Sequence, residues 1–589
     1  MIRAALYLVG FGLVSSPAVW SQTTTRISVD SAGGQADSAS YTFPSLSADG
    51  RYVAFYSNAD NLVPGDANGT WDVVVKDRQT GTTTLVSVDS NGNHANDYTS
   101  NAVISADGRY VAYDGVASNL VPGDTNGFLD VFVHDRVLGT TVRVSVDSDG
   151  FQGNWESFKP VISGDGRYVA FASRSSNLVP NDTNFDWDVF VHDMQTGSTT
   201  RVSVDSAGGQ SNGSSTAAAI SADGRYVAFH STASNLVPGD TNNTYDVFVH
   251  DMATGVTDRV SLDSAGAQAN NNSMGASISA DGRYVAFQSQ ATNLVPGDTN
   301  NAADLFVHDR VTGATIRASV DSSGAQANAY SFWPILSADG RFVSFHSLAT
   351  DLVPGDTNGK LDVFVRDLRL GTTSRVSVDS AGAQADGDSS TSSISADGRF
   401  VAYFSYATNL VSGDTNGTTD VFVYDRGAEA ALLPFCFGDG SGATCPCSNP
   451  GSSGHGCENS FATGGALLAA SGAAGLANDS VVLTATGELP TALSIVLQGD
   501  SFLAGVGFGD GVRCAGGSLK RLFVKHAVGG SVSAPQPGDP SISARSASLG
   551  DPIQLGTSRV YQTYYRDSSL GFCAFGFNVT NAIAVAWGD

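Results

Sequence analysis

Ser47-Ala48-Asp49-Gly50-Arg51-Tyr52-Val53 returns nearly unchanged six more times, its Asp falling at 49, 107, 165, 223, 281, 339 and 397, a constant step of 58 residues. A fixed period of this kind marks a solenoid, a propeller or an array, and the content of each unit chooses among them. In the second unit Arg109 to Tyr113 and Asp130 to His134 are apolar runs, and Thr141 to Asp147 alternates polar residues with Val142, Val144 and Val146. A further run, Ala102-Val103-Ile104-Ser105, precedes the Ala106-Asp107-Gly108 turn. Apolar runs read as buried strands and alternation as a half-exposed one. Four antiparallel strands per unit, joined by tight turns, are the blade of a propeller. The unit is longer than the usual blade of roughly 40 to 50 residues, and the excess lies in two connections.

The last unit stops after Asp420-Val-Phe-Val-Tyr-Asp425 and lacks the outer strand that every other unit carries. The missing strand stands near the start of the chain as Thr24-Thr25-Arg26-Ile27-Ser28-Val29-Asp30. A ring closes if that strand completes the seventh blade, which hides both edges that an open array exposes. The expected fold is therefore all-β: a seven-bladed β-propeller over 22–427, followed by a separate domain over 428–589.

Lys and Arg total 31 against 57 Asp and Glu, a net charge of -26, which repels nucleic acid and anionic lipid. Cations and neutral ligands are the partners left. Residues 1–21 read as a secretory signal peptide, with Arg3, the apolar run Ala5 to Val14 and a small-residue cleavage site at Val19-Trp20-Ser21. The run is too short to span a bilayer, and no second hydrophobic span follows. The expected location is secreted, periplasmic or at the cell surface.

Ser-x-Asp-Gly-Arg-(Tyr/Phe)-Val-Ala-(Phe/Tyr), followed by Asp-Val-Phe-Val-x-Asp-x-x-Thr-Gly, resembles the WD40-like repeat of TolB-type propellers, and the resemblance covers 22–427. It implies the fold. The chain lacks the α/β domain that precedes the propeller in periplasmic TolB proteins, so their role in the envelope is not implied. Similar propellers precede the hydrolase domain of prolyl-oligopeptidase-like enzymes, but no Gly-x-Ser-x-Gly elbow follows here.

The most regular polar feature is the connection between the second and third strands, typically Asn-Leu-Val-Pro-Gly-Asp-Thr-Asn-x-x-x-Asp. Its first Asp falls at Asp66, Asp124, Asp182, Asp240, Asp298, Asp356 and Asp414, and its Asn at Asn68, Asn126, Asn184, Asn242, Asn300, Asn358 and Asn416. Its second Asp falls at Asp72, Asp130, Asp188, Asp246, Asp304, Asp362 and Asp420. Carboxylates, amide oxygens and carbonyls of a curved loop are what calcium binds, so one structural calcium per blade is one expectation. The other is that Asp and Asn fold back on their own backbone as Asx-turns and pin a long loop. His134, His192, His250 and His308 occupy one strand position on four separate sheets, which argues against a shared zinc site.

Residues repeated in every blade are poor candidates for a single site, since a functional constellation breaks the symmetry. The units differ most in the connection from one outer strand to the next inner strand, which holds Tyr41, Phe43, Tyr98, Trp155, Phe158, Asn270 to Met274, Tyr330, Phe332 and Trp333. Alternate turns share a face, so this connection and the Asp-Asn loop leave together. Aromatics around the channel mouth suit stacking on sugars or packing on a peptide; drift and the filling of gaps between blades are the competing reading.

All six Cys lie after the repeats, at 436, 445, 447, 457, 514 and 573. In an exported chain they imply up to three disulfides, with 15 possible pairings. Cys436-Phe-Gly-Asp-Gly-Ser-Gly, Cys445-Pro-Cys447 and Gly456-Cys457-Glu-Asn-Ser resemble an uncharacterised domain that ends many exported bacterial proteins. Strand-like runs at Ser480 to Thr486, Leu493 to Gln498, Val560 to Tyr565 and Asn581 to Trp587 suggest a small β-sandwich.

The function expected is a non-enzymatic binding or scaffold propeller that recognises a protein or glycan ligand at the cell surface, with calcium as a candidate cofactor. The alternative is a carbohydrate-active lyase or glycosidase, which requires a pair of acids on blades that depart from the repeat. Glu156 and Lys159, with Asp386 and Asp388, are the charged residues that catch the eye, and neither pair forms a recognisable catalytic set.

Overall fold

The structure is a computed structural model. It describes residues 22–427 except 67 and, beyond them, 433–435, 445, 452, 455–457, 465–471, 474, 479–508, 511–554, 557–566 and 577–587. The signal-peptide reading of 1–21 lies outside these residues. The chain divides into two compact units, Met1–Gly427 and Ala428–Asp589.

The first unit is seven four-stranded antiparallel sheets. In the first blade the strands run Ser40–Leu46, Tyr52–Ser57, Asp72–Asp77 and Thr83–Leu85, from the channel outward. In the seventh they are Ser389–Ile394, Phe400–Ser405, Asp420–Asp425 and, from the far end of the chain, Thr23–Arg26, which pairs antiparallel with Asp420–Asp425 in the register Thr23 to Asp425 and Arg26 to Phe422. The closing strand is where the sequence puts it.

Closure is also visible at the Asp-Gly turns. Ala48 N–H donates to Ala106 O at 2.9 Å, Ala106 to Gly164, Gly164 to Ala222, Ala222 to Ala280, Ala280 to Ala338, Ala338 to Ala396, and Ala396 back to Ala48 O at 3.0 Å. This is a cycle of seven backbone hydrogen bonds, one per blade. Each turn forms locally because its Asp caps it: Asp49 Oδ1 accepts from Ser47 Oγ at 2.6 Å and Arg51 N at 2.9 Å.

The repeated Arg and the Asp that ends the third strand are explained together. Arg51 grips Asp77 through Nε at 2.9 Å and Nη2 at 2.7 Å, and the other six blades repeat the pair. A two-pronged guanidinium–carboxylate contact fixes geometry as well as charge, and Arg51 holds the Asp77 carboxyl well below the usual carboxylate range.

The third strand is buried on both sides, as its run of Val and Phe requires. Apolar clusters span neighbouring sheets: Val131 and Val133 of blade two meet Val169, Phe171 and Leu178 of blade three. Across the closure, Val53 and Phe55 of blade one meet Ala402, Val421 and Val423 of blade seven.

The outer strand is shorter than its alternation predicts. It ends at Arg143 in blade two; Ser145 then leaves the ladder, takes the Val131 N–H on its Oγ at 3.1 Å and donates to Asp130 at 2.5 Å. Only a single bridge, Val146 to Gln152, follows. A side-chain hydroxyl here substitutes for the backbone partner that an extended strand supplies. The four His expected on separate sheets are there; each Nδ1 meets the Oγ1 of a Thr on its own outer strand, as His134 meets Thr141 at 2.9 Å.

The second unit is also β-rich. A five-stranded antiparallel sheet runs in the order Leu433–Phe435, Phe577–Ala586, Ser558–Arg566, Leu493–Gly499, Lys520–His526, and a three-stranded one in the order Leu467–Ser471, Val482–Thr486, Ser531–Ala534. Leu468 and Leu483 of the smaller sheet share a core with Val496, Phe523, Tyr561 and Val585 of the larger and with Ile542 of the helix Ile542–Ser548. This is the sandwich expected. Cys445 is bonded to Cys457 and Cys514 is also in a disulfide; Cys436, Cys447 and Cys573 lie outside the described residues.

The glycine of each Asp-Gly turn has two reasons to be glycine. Gly224 has φ +74°, and a Cβ placed on it falls 2.1 Å from Cδ2 of Tyr168 in the preceding blade. Gly224→Ala should therefore cost roughly 2 to 4 kcal/mol of stability, read as a lowered denaturation midpoint. An unchanged midpoint would show that the turn and its aromatic neighbour do not lock adjacent blades.

Candidate functional site

The two long connections do leave from one face and are stitched together. Asn154 N–H donates to Asn177 Oδ1 and Trp155 N–H to Ser175 Oγ, each at 2.9 Å. Within the Asp-Asn loop the Asn is a pin: Asn126 Nδ2 reaches Asp130 at 3.1 Å and Gly153 O at 3.0 Å, while its Oδ1 accepts from Phe128 N. The same pattern recurs in the other blades, as at Asn242 and Asn358. The second Asp is buried, and burial pushes Asp130 up to about 6 against the pull of Ser145 and Arg143.

The calcium expectation meets a counter-ion already in place. Arg143 Nη1 lies 3.3 Å from both Asp124 and Asp130, and Arg201, Arg259, Arg317 and Arg375 stand the same way in blades three to six. In blade seven Arg26 is 3.9 Å from Asp420, and Gln35 bridges Asp414 and Asp420 at 2.8 and 3.0 Å. Among the described residues, no group of three or more His, Cys, Asp or Glu is arranged to hold a metal ion. Six of the seven loops thus fit an internal cation rather than an added one.

Symmetry breaks at the channel. Each inner strand carries a bulge whose central residue is left-handed: Phe43, Asn101, Lys159, Ala217, Gly275, Trp333 and Thr391, with φ between 38° and 67°. A bulge leaves a backbone group outside the ladder. Four blades satisfy it across the interface with a side chain from the preceding blade's second strand. Lys159 N–H donates to Asp114 Oδ2 at 2.8 Å, Trp333 to Gln288 Oε1 at 3.1 Å, Thr391 to His346 Nδ1 at 3.3 Å and Gly275 to His230 Nδ1 at 3.4 Å. Six of these seven bulge residues, all but Thr391, line a cavity of about 280 Å³.

Phe43 and Trp333, expected at an open mouth, face each other instead, with ring centroids 5.8 Å apart at 84°. Lys159 Nζ lies 5.9 Å from the Trp333 ring, and the bare Cα of Gly275 leaves room for that indole. Residues of four blades therefore meet within the channel.

The remaining sequence-derived aromatics fall into separate groups. Tyr41 packs on Trp71 and shares a 2.9 Å hydroxyl contact with Tyr406. Tyr330 stacks on Phe332, which lies against His346. Tyr98 stands apart and is partly exposed.

Two further aromatic pairs lie on blades two and three. Trp155 lies 4.6 Å from Phe128 at 31°, Phe158 lies 4.6 Å from Trp187, and the Arg174 guanidinium covers Trp187 at 5.6 Å. Trp155 is 45% exposed, Phe151 68% and Phe185 76%. Phe185 adopts φ 57° where the other six blades have Gly or Asn. A bulky side chain held left-handed and facing water is strained without a packing benefit, and such outliers point to function.

The sequence reading named Trp155 and Phe158 but missed Phe128, Phe185 and Trp187, because it compared only one of the two connections, and it passed over Phe151 within the one it compared. For Phe151 and Phe185 the signal was a lone aromatic in a column of Gly, Ala and Asn. Of the charged residues singled out, Asp386 accepts from Thr408 N and Oγ1, and Asp388 accepts from Leu361 N, so both hold loops.

Fold and face together define a propeller with a symmetric frame and an asymmetric channel and loop surface. No family model matches the chain, and no curated protein does. Among solved structures the chain is similar to a putative TolB from Agrobacterium tumefaciens, at 14% identity over 59% of this chain and 95% of that one, with a TM-score of 0.33. It is likewise similar to TolB from Acinetobacter baumannii, at 14% identity over 64% and 82%, TM-score 0.32. An acylaminoacyl peptidase solved with Z-Gly-Gly-Phe-chloromethyl ketone is 11% identical over 66% and 51%, TM-score 0.40. The propeller assignment stands on the chain's own closed ring. No helix among the described residues is long and apolar enough to cross a membrane.

His230 carries a pH dependence that can be read. Burial, with Lys159 nearby, lowers its pKa to about 4, so the unfolded chain binds the proton first. Its contribution is intact above pH 6.5 and is lost as pH falls from there toward about 4. His230→Gln, which copies Gln288 of the next blade, should lose less melting temperature than the parent between pH 7 and pH 4.5. Parallel curves would show that His230 is not neutral in the fold.

Proposed function

We propose that this chain is an exported binding propeller that recognises a neutral glycan on its loop-bearing face, at the aromatic surface where blades two and three meet. The observation that carries this reading is Phe185, held left-handed and exposed two residues before Trp187 on the same loop, with the Arg174 guanidinium at its carbonyl and over the Trp187 ring. Flat aromatic faces interleaved with Asn154, Glu156, Arg174 and Asp186 offer both the stacking and the hydrogen bonds that a sugar ring uses. The net charge of -26 disfavours anionic polymers. Export rests on the apolar segment at residues 5–14 that follows Arg3.

The test is binding of neutral oligosaccharides, first on an array and then by calorimetry. Trp155→Ala and Phe185→Ala should each weaken binding about tenfold or more, while Val137→Ala, on the opposite face, should leave it unchanged. Equal affinity in all three variants would refute the site, and release of sugar products would assign catalysis instead.

A further inference from the structure

Blade one departs from its six siblings in its Asp-Asn loop. At the outer-strand position where Arg26, Arg143, Arg201, Arg259, Arg317 and Arg375 approach the acidic pair, it carries Leu85. Where the other blades carry Gln, it carries His94, whose Nδ1 comes no nearer to Asp66 Oδ1 than 3.9 Å. It also adds an acid: Asp60 replaces the Ser or Thr of the other six copies.

The two carboxylates themselves are retained. In blade three one nitrogen, Gln210 Nε2, sits 2.7 Å from Asp182 and 3.2 Å from Asp188, so the pair converges on a single point between them. In blade one Asp72 keeps its framework partners, Ser87 Oγ at 2.6 Å and Asn68 Nδ2 at 2.7 Å. Asp66 has only a backbone hydrogen bond from Asn68: its side chain is 5% exposed and its Oδ1 has no hydrogen-bond partner. A buried carboxylate oxygen without a partner is costly. Burial and the neighbouring Asp72 accordingly push Asp66 up to about 6.

We infer that the Asp66 and Asp72 pair of blade one binds a single hard divalent cation, calcium, in the place that a guanidinium takes in the other blades. Two carboxylates supply the charged oxygens, and water completes the six to eight ligands that calcium takes. His94, about a third exposed at its side chain, stands at the solvent side of the pair. The inference does not depend on the aromatic surface, and it converts a sevenfold motif into one site per chain.

The test is calorimetric titration of the chelator-stripped full chain with calcium chloride, with magnesium chloride in parallel. One saturable calcium per chain is expected, with Kd below about 1 mM, and weakened at least tenfold by Leu85→Arg. That variant installs what six blades already have. Asp66→Asn should give the same loss, and serves if Leu85→Arg does not fold. The inference is overturned by no saturable binding, by binding that neither variant changes, or by a stoichiometry near seven.

Discussion

Each Asp-Gly turn passes one backbone N–H to the next blade, and the seventh returns it to the first. That cycle is a constraint on geometry more than a source of energy, because a net hydrogen bond contributes only about 1 kcal/mol. Its effect is to fix how far one sheet is rotated from the next, so that the Val-Phe-Val faces meet at a constant spacing all the way round. The glycine that must lie against the neighbour's aromatic ring, and the arginine that grips the end of the third strand, act at the same turn. With the ring closed by Thr23–Arg26, the third strand of the seventh blade is paired on both sides like those of the other six.

On this frame the polar loops divide the labour. The second Asp and the Asn of each long connection organise backbone, and the first Asp is matched by an arginine in most blades. Much of what varies falls in three places: the left-handed bulge in the inner strand, the residue of the second strand that caps the next bulge, and the tips of the loops. These are the positions at which a binding surface can be changed without disturbing the sheets.

Much of the frame was legible in the sequence because it is periodic. A constant step of 58, a missing last strand and its counterpart at the start are enough to predict seven blades and their closure. The outer strand was overextended because Val144 and Val146 alternate as a strand does, while the competing hydroxyl of Ser145 gives no periodic signal. The bulges were not legible: Lys159 and Trp333 carry nothing in their side chains that announces a left-handed backbone, and the groups that accept their backbone N–H come from another blade. The partners of the Asp-Asn motif were hidden for a related reason. Asp124, Asn126 and Asp130 were read within one loop, and Arg143, which meets them, lies in a different strand.

The bulge has a consequence for how such a protein diversifies. Since seven different residue types occupy one backbone conformation here, the conformation does not depend on which side chain is present. A change at any of these slots alters the lining of the pore in its own sector and leaves the backbone of the other six as it is, while side chains that meet in the channel, as Phe43 meets Trp333, respond together. The propeller is in effect a wheel of interchangeable spokes, on which new specificity can be assembled one sector at a time.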